Sequence, residues 1–224
     1  RALQGWRKLS PVRSRTPVAY PIVALIITEL LHRQQLLMGL WILLAHGAYL
    51  RPSECMNLRR KNLVPPHQGV SRAWCILVAA SEAQLETKTG DSDVGVIWDA
   101  PYLSWFTEAI KFLHQGEKEG KIWDFTYLEL TNMVQVVVKS LGVSFVPYQC
   151  RHSGPSWDRV KGYRTLQEIQ KRGRWKASRS VNRYEKAGKL LAEYMDLPAN
   201  LRTRAEQAVQ ELPGLVRERL KRHS

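Results

Sequence analysis

The sequence predicts a mostly α-helical domain that carries one small antiparallel β-sheet, an α+β fold. Two observations support this fold class. Apolar residues recur at three- and four-residue steps over most of the 224-residue chain, which is the repeat of an amphipathic helix. Between residues 73 and 98 this repeat gives way to short β-branched or aromatic runs, separated by the turn-forming sequence Lys-Thr-Gly-Asp at 88–91.

The first helical stretch is predicted over residues 21–48, with a break near Arg33. Pro52 then suits the first turn of a short helix that runs to Leu58, because proline lacks the N–H that a first turn leaves unpaired. Strands are predicted at 73–80, 84–87 and 94–98.

The helical repeat returns after Pro101. It predicts helices at residues 102–116, 126–141, 149–160, 165–172, 178–195 and 199–221. The last of these is expected to form one or two amphipathic helices with a break at Pro213-Gly214, because both residues disfavour a helix interior.

Basic residues outnumber acidic ones in this chain. Lys and Arg number 34 against 20 Asp and Glu, which gives a net charge of +14. Residues 151–189 alone contain 12 Lys and Arg and 3 acids, interleaved with Trp157, Tyr163, Trp175 and Tyr184. Such one-sided charge favours an anionic polymer as partner, with nucleic acid ahead of an acidic membrane surface.

Cysteine usage and hydropathy restrict the setting in which the protein works. Cys55, Cys75 and Cys150 are odd in number and show no metal-ligand spacing, so neither a disulfide framework nor a zinc site is expected. This usage favours a reducing, intracellular compartment, either the nucleus or the cytoplasm or nucleoid. The most apolar stretch, residues 36–50, is too short to span a bilayer, and no membrane association is expected.

Arginine-rich segments and a tyrosine near the C-terminal end suit phosphoryl transfer on DNA without a metal ion. Such a reaction needs guanidinium groups on the non-bridging phosphate oxygens, a nucleophile in line with the leaving group, and a proton donor for that leaving group. The sequence shows no evident carboxylate cluster of the kind that a two-metal nuclease uses.

Three segments carry this pattern. The first, residues 47–54, reads Gly-Ala-Tyr-Leu-Arg-Pro-Ser-Glu and leads to Leu58-Arg59. The second, residues 147–152, reads Pro-Tyr-Gln-Cys-Arg-His. The third joins Gly-Arg-Trp at 173–175 to Arg183-Tyr184.

In order and spacing, these segments resemble the three sequence boxes of tyrosine recombinases and phage-type integrases. Trp175 precedes Tyr184 by nine positions, as a His or Trp precedes the nucleophilic tyrosine in that family. The resemblance spans about residues 13–190 and implies the DNA breaking-rejoining fold of that family's catalytic domain. It also implies site-specific DNA recombination or integration, with neither a metal ion nor another cofactor.

The resemblance implies a role for each matching residue. Arg51 and Arg151 would clamp the scissile phosphate, and Tyr184 would attack phosphorus to form a 3′-phosphotyrosine. Lys88, in the predicted β-turn, would act as general acid on the leaving 5′-oxygen. Trp175 would contact the phosphate or pack the site.

Three further residues complete the implied site. Glu54 would hold Arg51 by a hydrogen bond. Tyr148 occupies the position where the family has histidine, and a phenol is a poor general base near neutral pH. His152 is expected to pack against the site or support it, because its position one residue after Arg151 on a helix turns it about 100° away.

The resemblance also implies a domain arrangement and partners. Residues 1–17 would form a basic linker from an upstream DNA-binding domain, residues 18–198 the catalytic domain, and residues 199–224 a C-terminal helical extension. Part of 195–224 is expected either to dock on a neighbouring subunit or to pack within the chain. The implied partners are duplex DNA and a homotetramer formed on it, with no small-molecule substrate. Candidate DNA contacts are Arg13, Arg15, Arg174, Lys176, Arg179 and Arg183.

Two other functions are compatible with these residues. A type IB topoisomerase shares the Arg, Lys and Tyr chemistry but relaxes DNA as a monomer, and the spacing from Trp175 to Tyr184 favours the recombinase. A non-cleaving DNA-binding protein descended from a mobile element is kept open by Tyr148. The sequence does not distinguish integration from excision or resolution, and it does not identify the target DNA.

Overall fold

Helices make up 64% of the protein in a computed structural model that describes residues 16–78, 94–177, 180–185 and 187–223, apart from the side chains at 183, 185 and 187. A three-stranded antiparallel sheet accompanies them. The predicted α+β class, mostly helical with one small sheet, is therefore confirmed. Within the described ranges, no helix is long and apolar enough to cross a bilayer.

Two helices at the start of the described chain form its centre. Helix α1 spans Tyr20–His32 and α2 spans Leu36–Gly47, and the predicted break near Arg33 falls between them. Gln34 turns the chain there with a φ of 61°. Nearly every residue of α2 is buried. A helix that is apolar on all sides must be surrounded by other elements, and α2 accordingly lies inside the main hydrophobic core.

A short helix and the sheet follow α2. Helix α3 spans Pro52–Met56, with Pro52 in its first turn as predicted. Strands β1 (Leu63–Val64), β2 (Cys75–Val78) and β3 (Val94–Ile97) pair in that order, and both pairs are antiparallel. The β2 and β3 strands lie within predicted runs, whereas the two residues of β1 are too few to leave a pattern. The predicted strand at 84–87 and the turn at 88–91 lie outside the described residues.

The second half of the chain is helical, close to the predicted ranges. Its helices are α4 (Thr107–His114), α5 (Tyr127–Leu141), α6 (Cys150–Val160), α7 (Leu166–Gly173), α8 (Ala187–Met195) and α9 (Ala199–His223). Short 3₁₀ helices precede three of them, at Pro101–Phe106, Pro147–Gln149 and Asn182–Glu185.

The prediction of one helix over residues 178–195 is wrong at its start. Residues 182–185 form a 3₁₀ turn, in which the N–H of Tyr184 donates to the carbonyl of Val181 at 2.8 Å. Both side chains are buried in one small cluster. The tighter turn lets Val181 and Tyr184 face the same side of the chain, because residues three apart eclipse in a 3₁₀ helix.

Helix α9 corrects the prediction that residues 199–221 divide at Pro213-Gly214. It runs unbroken through that position, and its buried face packs on α1 in the largest contact between elements of the described chain. Leu212 and Val216 are buried on the two sides of the proline. This burial keeps the helix continuous although Pro213 lacks an N–H. Docking of other faces of this segment on a neighbouring subunit stays a prediction.

A second, smaller hydrophobic cluster is separate from the main core. Its buried members are Tyr49, Ile169, Val181 and Tyr184, and Leu166 and Trp175 pack against it. These residues come from the chain after α2, from α7, and from the segment that leads to α8. The described residues of the three sequence segments lie around this small cluster.

Candidate active site

Charged side chains from three separate segments meet beside the small hydrophobic cluster. Arg51 is the N-cap of α3, Arg151 lies in the first turn of α6, and Arg174 is the C-cap of α7. All three guanidinium groups lie within 4.0 Å of the Glu54 carboxylate. We refer to these four residues as the arginine cluster.

Glu54 is the centre of the arginine cluster. Its Oε2 accepts hydrogen bonds from the backbone N–H of Arg51 and from Nη2 of Arg174, each at 2.7 Å. Its Oε1 accepts from the Arg51 guanidinium. Burial acts to raise the pKa of the Glu54 carboxyl, but the arginine cations and the Arg51 N–H prevail and lower it. One carboxylate facing three guanidinium groups leaves surplus positive charge, which suits an anionic ligand.

Arg151 is the most enclosed cation of the arginine cluster, with a side chain 2% exposed. Its guanidinium donates to the carbonyl oxygens of Tyr49 and Gly173. The ring of Trp175 covers it, with 4.4 Å between Cζ and the ring centroid. Burial, together with the neighbouring Arg174 cation, lowers the pKa of Arg151 to about 9. The group is therefore still protonated at neutral pH.

Arg174 closes the arginine cluster from the end of α7, where its φ of 55° lies in the left-handed region. Besides its bond to Glu54, its guanidinium donates to the Tyr49 carbonyl at 3.3 Å. Its buried Nε has no hydrogen-bond partner among the described residues. Burial lowers the pKa of this group. Arg174 is one of the candidate DNA contacts, and it lies inside the arginine cluster with 7% of its surface exposed.

Tyr49 is a site residue that sequence reasoning missed. Its carbonyl accepts from both Arg151 and Arg174, so it fixes two cations relative to each other. Its φ of 54° lies in the left-handed region, which residues other than glycine seldom adopt. Its buried side chain holds this conformation, because the hydroxyl donates to Asp158 and the Arg172 guanidinium lies 5.2 Å from the ring centroid.

An ion network that runs from the buried Asp158 to the exposed Asp99 supports Tyr49. Asp158, on α6, is fully buried and also accepts from Nε of Arg164 at 2.8 Å. Arg164 and Arg172 both contact Asp99, at 2.6 and 2.7 Å. Burial raises the pKa of the Asp158 carboxyl, although Tyr49 and the two arginines act to lower it. This network anchors the Tyr49 side chain and, through the Tyr49 backbone, two guanidinium groups of the arginine cluster.

Tyr184 also packs against Trp175 and is 2% exposed. Its ring centroid is 5.3 Å from that of Trp175. Its hydroxyl oxygen lies 3.0 Å from Nδ1 of His152. The ring of Tyr148, which is 37% exposed, lies 5.6 Å from the His152 ring. An imidazole that was expected only to pack or support the site therefore contacts the Tyr184 hydroxyl.

Gly173 is required where the chain passes from α7 to Trp175. A Cβ at this position would come within 1.6 Å of the Trp175 ring. No larger residue fits while that ring covers Arg151. The glycine of the third sequence segment is thus explained by a close approach between backbone and ring.

A basic depression borders the arginine cluster. It is an open cavity of about 320 Å³ lined by Arg174 and Trp175 with Lys171, Lys176 and two glutamines. Lys176, one of the candidate DNA contacts, is exposed here. Cations spaced along an open surface suit a polyanion better than a small enclosed ligand.

Several predicted site residues fall outside the part of the chain that the structure describes. They are Lys88, Arg13, Arg15 and Arg179, together with the side chain of Arg183. Within the described part, no group of three or more His, Cys, Asp or Glu side chains is arranged to hold a metal ion.

The comparisons with known proteins assign no family to this chain. No protein-family model matches the sequence, and no curated protein matches it. The site is therefore defined by its own residues: three guanidinium groups around one carboxylate, and a buried tyrosine in contact with an imidazole.

Proposed function

We propose that this chain is the catalytic domain of a site-specific tyrosine recombinase or integrase, which cleaves and rejoins duplex DNA inside the cell. The observation that carries this proposal is the convergence of the three recombinase-like segments on one place. Trp175 contacts both Arg151 and Tyr184, and Glu54 joins Arg151 to Arg51. Chance matches to three separate motifs have no reason to meet in space.

The arginine cluster supports binding of the scissile phosphate. Guanidinium groups on the non-bridging oxygens stabilise the charge that develops there in the transition state. Arg51 is the most exposed of the three cations and would meet the phosphate first. Lys171 and Lys176 in the adjoining depression would contact neighbouring phosphates of the same strand.

Tyr184 would supply the nucleophile. Its oxygen attacks phosphorus, the bond from phosphorus to the 5′-oxygen breaks, and a 3′-phosphotyrosine forms. By resemblance, Lys88 donates the proton to the leaving 5′-oxygen. The covalent link conserves the energy of the phosphodiester, so attack by a 5′-hydroxyl rejoins the strand without a nucleotide cofactor. The same resemblance supports a homotetramer on DNA as the working assembly.

Both Arg151 and Tyr184 are covered in the described conformation, and the Trp175 ring contacts each of them. A phosphate can reach them only when Trp175 and its neighbours move. We therefore propose that DNA binding opens the site. Hydrogen exchange in residues 174–177 and 180–184 should then rise when DNA is bound, and unchanged or slower exchange would count against this opening.

The direct test is trapping of the covalent intermediate. The chain is mixed with a pool of random-sequence duplexes, each nicked so that cleavage releases a short fragment and religation is lost, in the presence of EDTA. A denaturing gel should show protein joined to DNA. The band should disappear in Tyr184→Phe and persist in Tyr163→Phe, a control tyrosine that is exposed and stacks on Tyr102. An adduct that survives Tyr184→Phe would exclude this tyrosine as nucleophile.

A non-cleaving DNA-binding protein is the second candidate. It is favoured by Tyr148, which replaces the family's histidine, and by the enclosure of Tyr184. Its signature would be DNA binding that weakens steeply with salt, as expected for phosphate contacts, and no adduct on any duplex of the pool.

A further inference from the structure

The contact between His152 and Tyr184 joins two residues that the sequence motifs assigned to different tasks. His152 lies on α6, one residue after Arg151, and Tyr184 lies in the 3₁₀ turn before α8. Their polar atoms, Nδ1 and the hydroxyl oxygen, are 3.0 Å apart. This distance allows direct proton transfer between them.

Helix geometry explains why the two neighbours on α6 act on different groups. Consecutive helical residues point about 100° apart. Arg151 points to the carbonyl oxygens of Tyr49 and Gly173, whereas His152 points to Tyr184. The same angle of about 100° between Arg151 and His152 turns the imidazole away from the arginine cluster and brings it into contact with Tyr184, the proposed nucleophile.

A phenol needs a proton acceptor if it is to attack phosphorus at neutral pH. Phenols in water have a pKa of about 10, so the hydroxyl is protonated and weakly nucleophilic. A neutral imidazole that carries its proton on Nε2 accepts a hydrogen bond at Nδ1. Arg151 interacts electrostatically with Tyr184, and a cation there favours the phenolate as it forms.

We propose that His152 is the general base that takes the proton of Tyr184 during strand cleavage; this assignment rests on the proposed function. As the Tyr184 oxygen bonds to phosphorus, its O–H bond breaks and the proton passes to Nδ1 of His152. The bond from phosphorus to the 5′-oxygen breaks, and that oxygen takes a proton from the general acid. In rejoining, the 5′-hydroxyl gives its proton back to the deprotonated general acid as its oxygen bonds to phosphorus. The bond from phosphorus to the Tyr184 oxygen breaks, and the imidazolium of His152 returns a proton to that oxygen.

Position 148 does not provide this function. The Tyr148 side chain is a phenol, and its ring packs on the His152 ring rather than supplying a second imidazole. Among the described residues, the titratable and charged groups that face His152 include Tyr148, Tyr184 and, next to it along α6, Arg151. The pH dependence of cleavage by variants at these positions therefore tests which of them titrates.

The test compares wild type with His152→Gln, which keeps a polar side chain of similar reach but cannot accept a proton for transfer. Single-turnover adduct formation on the nicked duplex pool is measured from about pH 5 to pH 9, a range that spans the usual titration of imidazole. We expect His152→Gln to slow adduct formation by about 10²-fold or more and to remove the acid limb of the profile. DNA affinity, measured separately by fluorescence anisotropy, should stay within about threefold, because phosphate contacts dominate it.

A second substrate tests whether His152 acts as the general base on Tyr184 or as the general acid on the leaving group. A duplex with sulfur in place of the bridging 5′-oxygen has a leaving group that needs no proton. The slow cleavage by His152→Gln should persist on this duplex, and free imidazole should restore part of the rate to His152→Ala. The assignment is overturned if the sulfur substrate restores His152→Gln to the wild-type rate, or if His152→Gln matches wild type at every pH.

The outcomes distinguish this assignment from the proposed function. Adduct that depends on Tyr184 but not on His152 would leave the recombinase proposal standing and remove the base. A wild-type chain that forms no adduct on any duplex would overturn both. Thermal unfolding of each variant shows whether a lost rate reflects a lost fold.

Discussion

The main core and the candidate site bury different kinds of side chain. Helix α1 packs against both α2 and α9, and aliphatic residues of these helices such as Ile27, Leu40 and Leu212 are fully buried in the main core. The site instead buries Arg151, Arg174 and Asp158 around a hydrophobic cluster of four residues. The same chain therefore contains one region built from apolar contacts and one built from charges.

The difference shows which region stabilises the fold and which holds a geometry. Apolar burial is favourable in any orientation, at roughly 25 cal/mol per Å². A buried charge is unfavourable unless its donors or acceptors are met, so its position is specified by its partners. The carbonyl oxygens of Tyr49 and Gly173 meet Arg151 in this way. The partners of the arginine cluster fix its geometry but add little to the free energy of unfolding. The apolar contact between α1 and α9 supplies the stability that offsets the buried charges.

Truncation in the α1–α9 contact should give the largest effect on stability. We expect Leu212→Ala to lower the free energy of unfolding by about 2–5 kcal/mol, because it removes buried methyl groups and leaves a cavity. Chemical denaturation measures this change. The control Leu128→Ala, on α5 and 68% exposed, should stay within about 0.5 kcal/mol of wild type. Equal losses in the two variants would contradict the division into a stabilising and a charged region.

Removal of Arg151 should act on chemistry instead. We expect Arg151→Ala to slow adduct formation by about 10²–10³-fold, the usual effect of losing one preorganised donor in a transition state. Single-turnover trapping on the nicked duplexes measures it. Arg159→Ala, an exposed arginine on the same helix, is the matched control and should cleave at nearly the wild-type rate. A comparable defect in both would point to general loss of DNA binding.

Tyr49 belongs to the small hydrophobic cluster, and its hydroxyl donates to the buried Asp158. Removal of this hydroxyl tests how the polar contact affects both stability and cleavage. Tyr49→Phe removes one of the two donors to the buried Asp158 carboxylate and leaves only Arg164, so it should lower the free energy of unfolding by about 1–3 kcal/mol. It should also slow adduct formation, because the carbonyl shared by Arg151 and Arg174 is no longer anchored. Tyr102→Phe is the control. It loses a hydroxyl that lies 3.1 Å from His46 in the main core, and cleavage by its folded fraction should be unchanged.

A fall in pH should change the contributions of Glu54 and Asp158 to the free energy of unfolding in opposite directions. Glu54 has a lowered pKa in the folded protein, so its stabilising contribution is complete above its ordinary value of 4.5 and is lost as the pH falls below it. Asp158 has a raised pKa, so its contribution is greatest at low pH and declines as the pH rises through its ordinary value of 3.8. Unfolding measured between about pH 3 and pH 6 should show a flatter acid loss in Glu54→Gln and a steeper one in Asp158→Asn.

The smallest effect is expected at position 148. If His152 already accepts the proton, Tyr148→His should change the adduct rate by no more than about threefold in the wild-type background. In the His152→Gln background, Tyr148→His should raise the adduct rate by a larger factor than it does in the wild-type background. A tenfold gain from Tyr148→His alone would show that position 148 limits the wild-type enzyme.

The features that depend on local pattern were predictable from the sequence. The break near Arg33 and strands β2 and β3 follow from periodicity and turn residues that need no information from the rest of the chain. The spacing from Trp175 to Tyr184 and the Arg-to-Glu step at 51–54 marked side chains that the structure brings into contact.

Features set by contacts between distant segments were not predictable. The left-handed backbone of Tyr49 depends on Asp158, which follows more than a hundred residues later. The path of His152 toward Tyr184 depends on where the 3₁₀ turn places that tyrosine. Pro213 was read as a helix breaker because the sequence does not show that α1 supports the helix on both sides of it.

The enclosure of Tyr184 bears on the safety of the DNA as well as on its access. For the proposed reaction, the phosphotyrosine bond is a broken strand for as long as it lasts, and water competes with the 5′-hydroxyl to attack it. Tyr184 is 2% exposed against the rings of Trp175 and His152 in the described conformation, and a site that closes again in this way after the phosphate has entered would keep water from the phosphorus. The cut strand would then be either resealed or exchanged, and seldom released as damage.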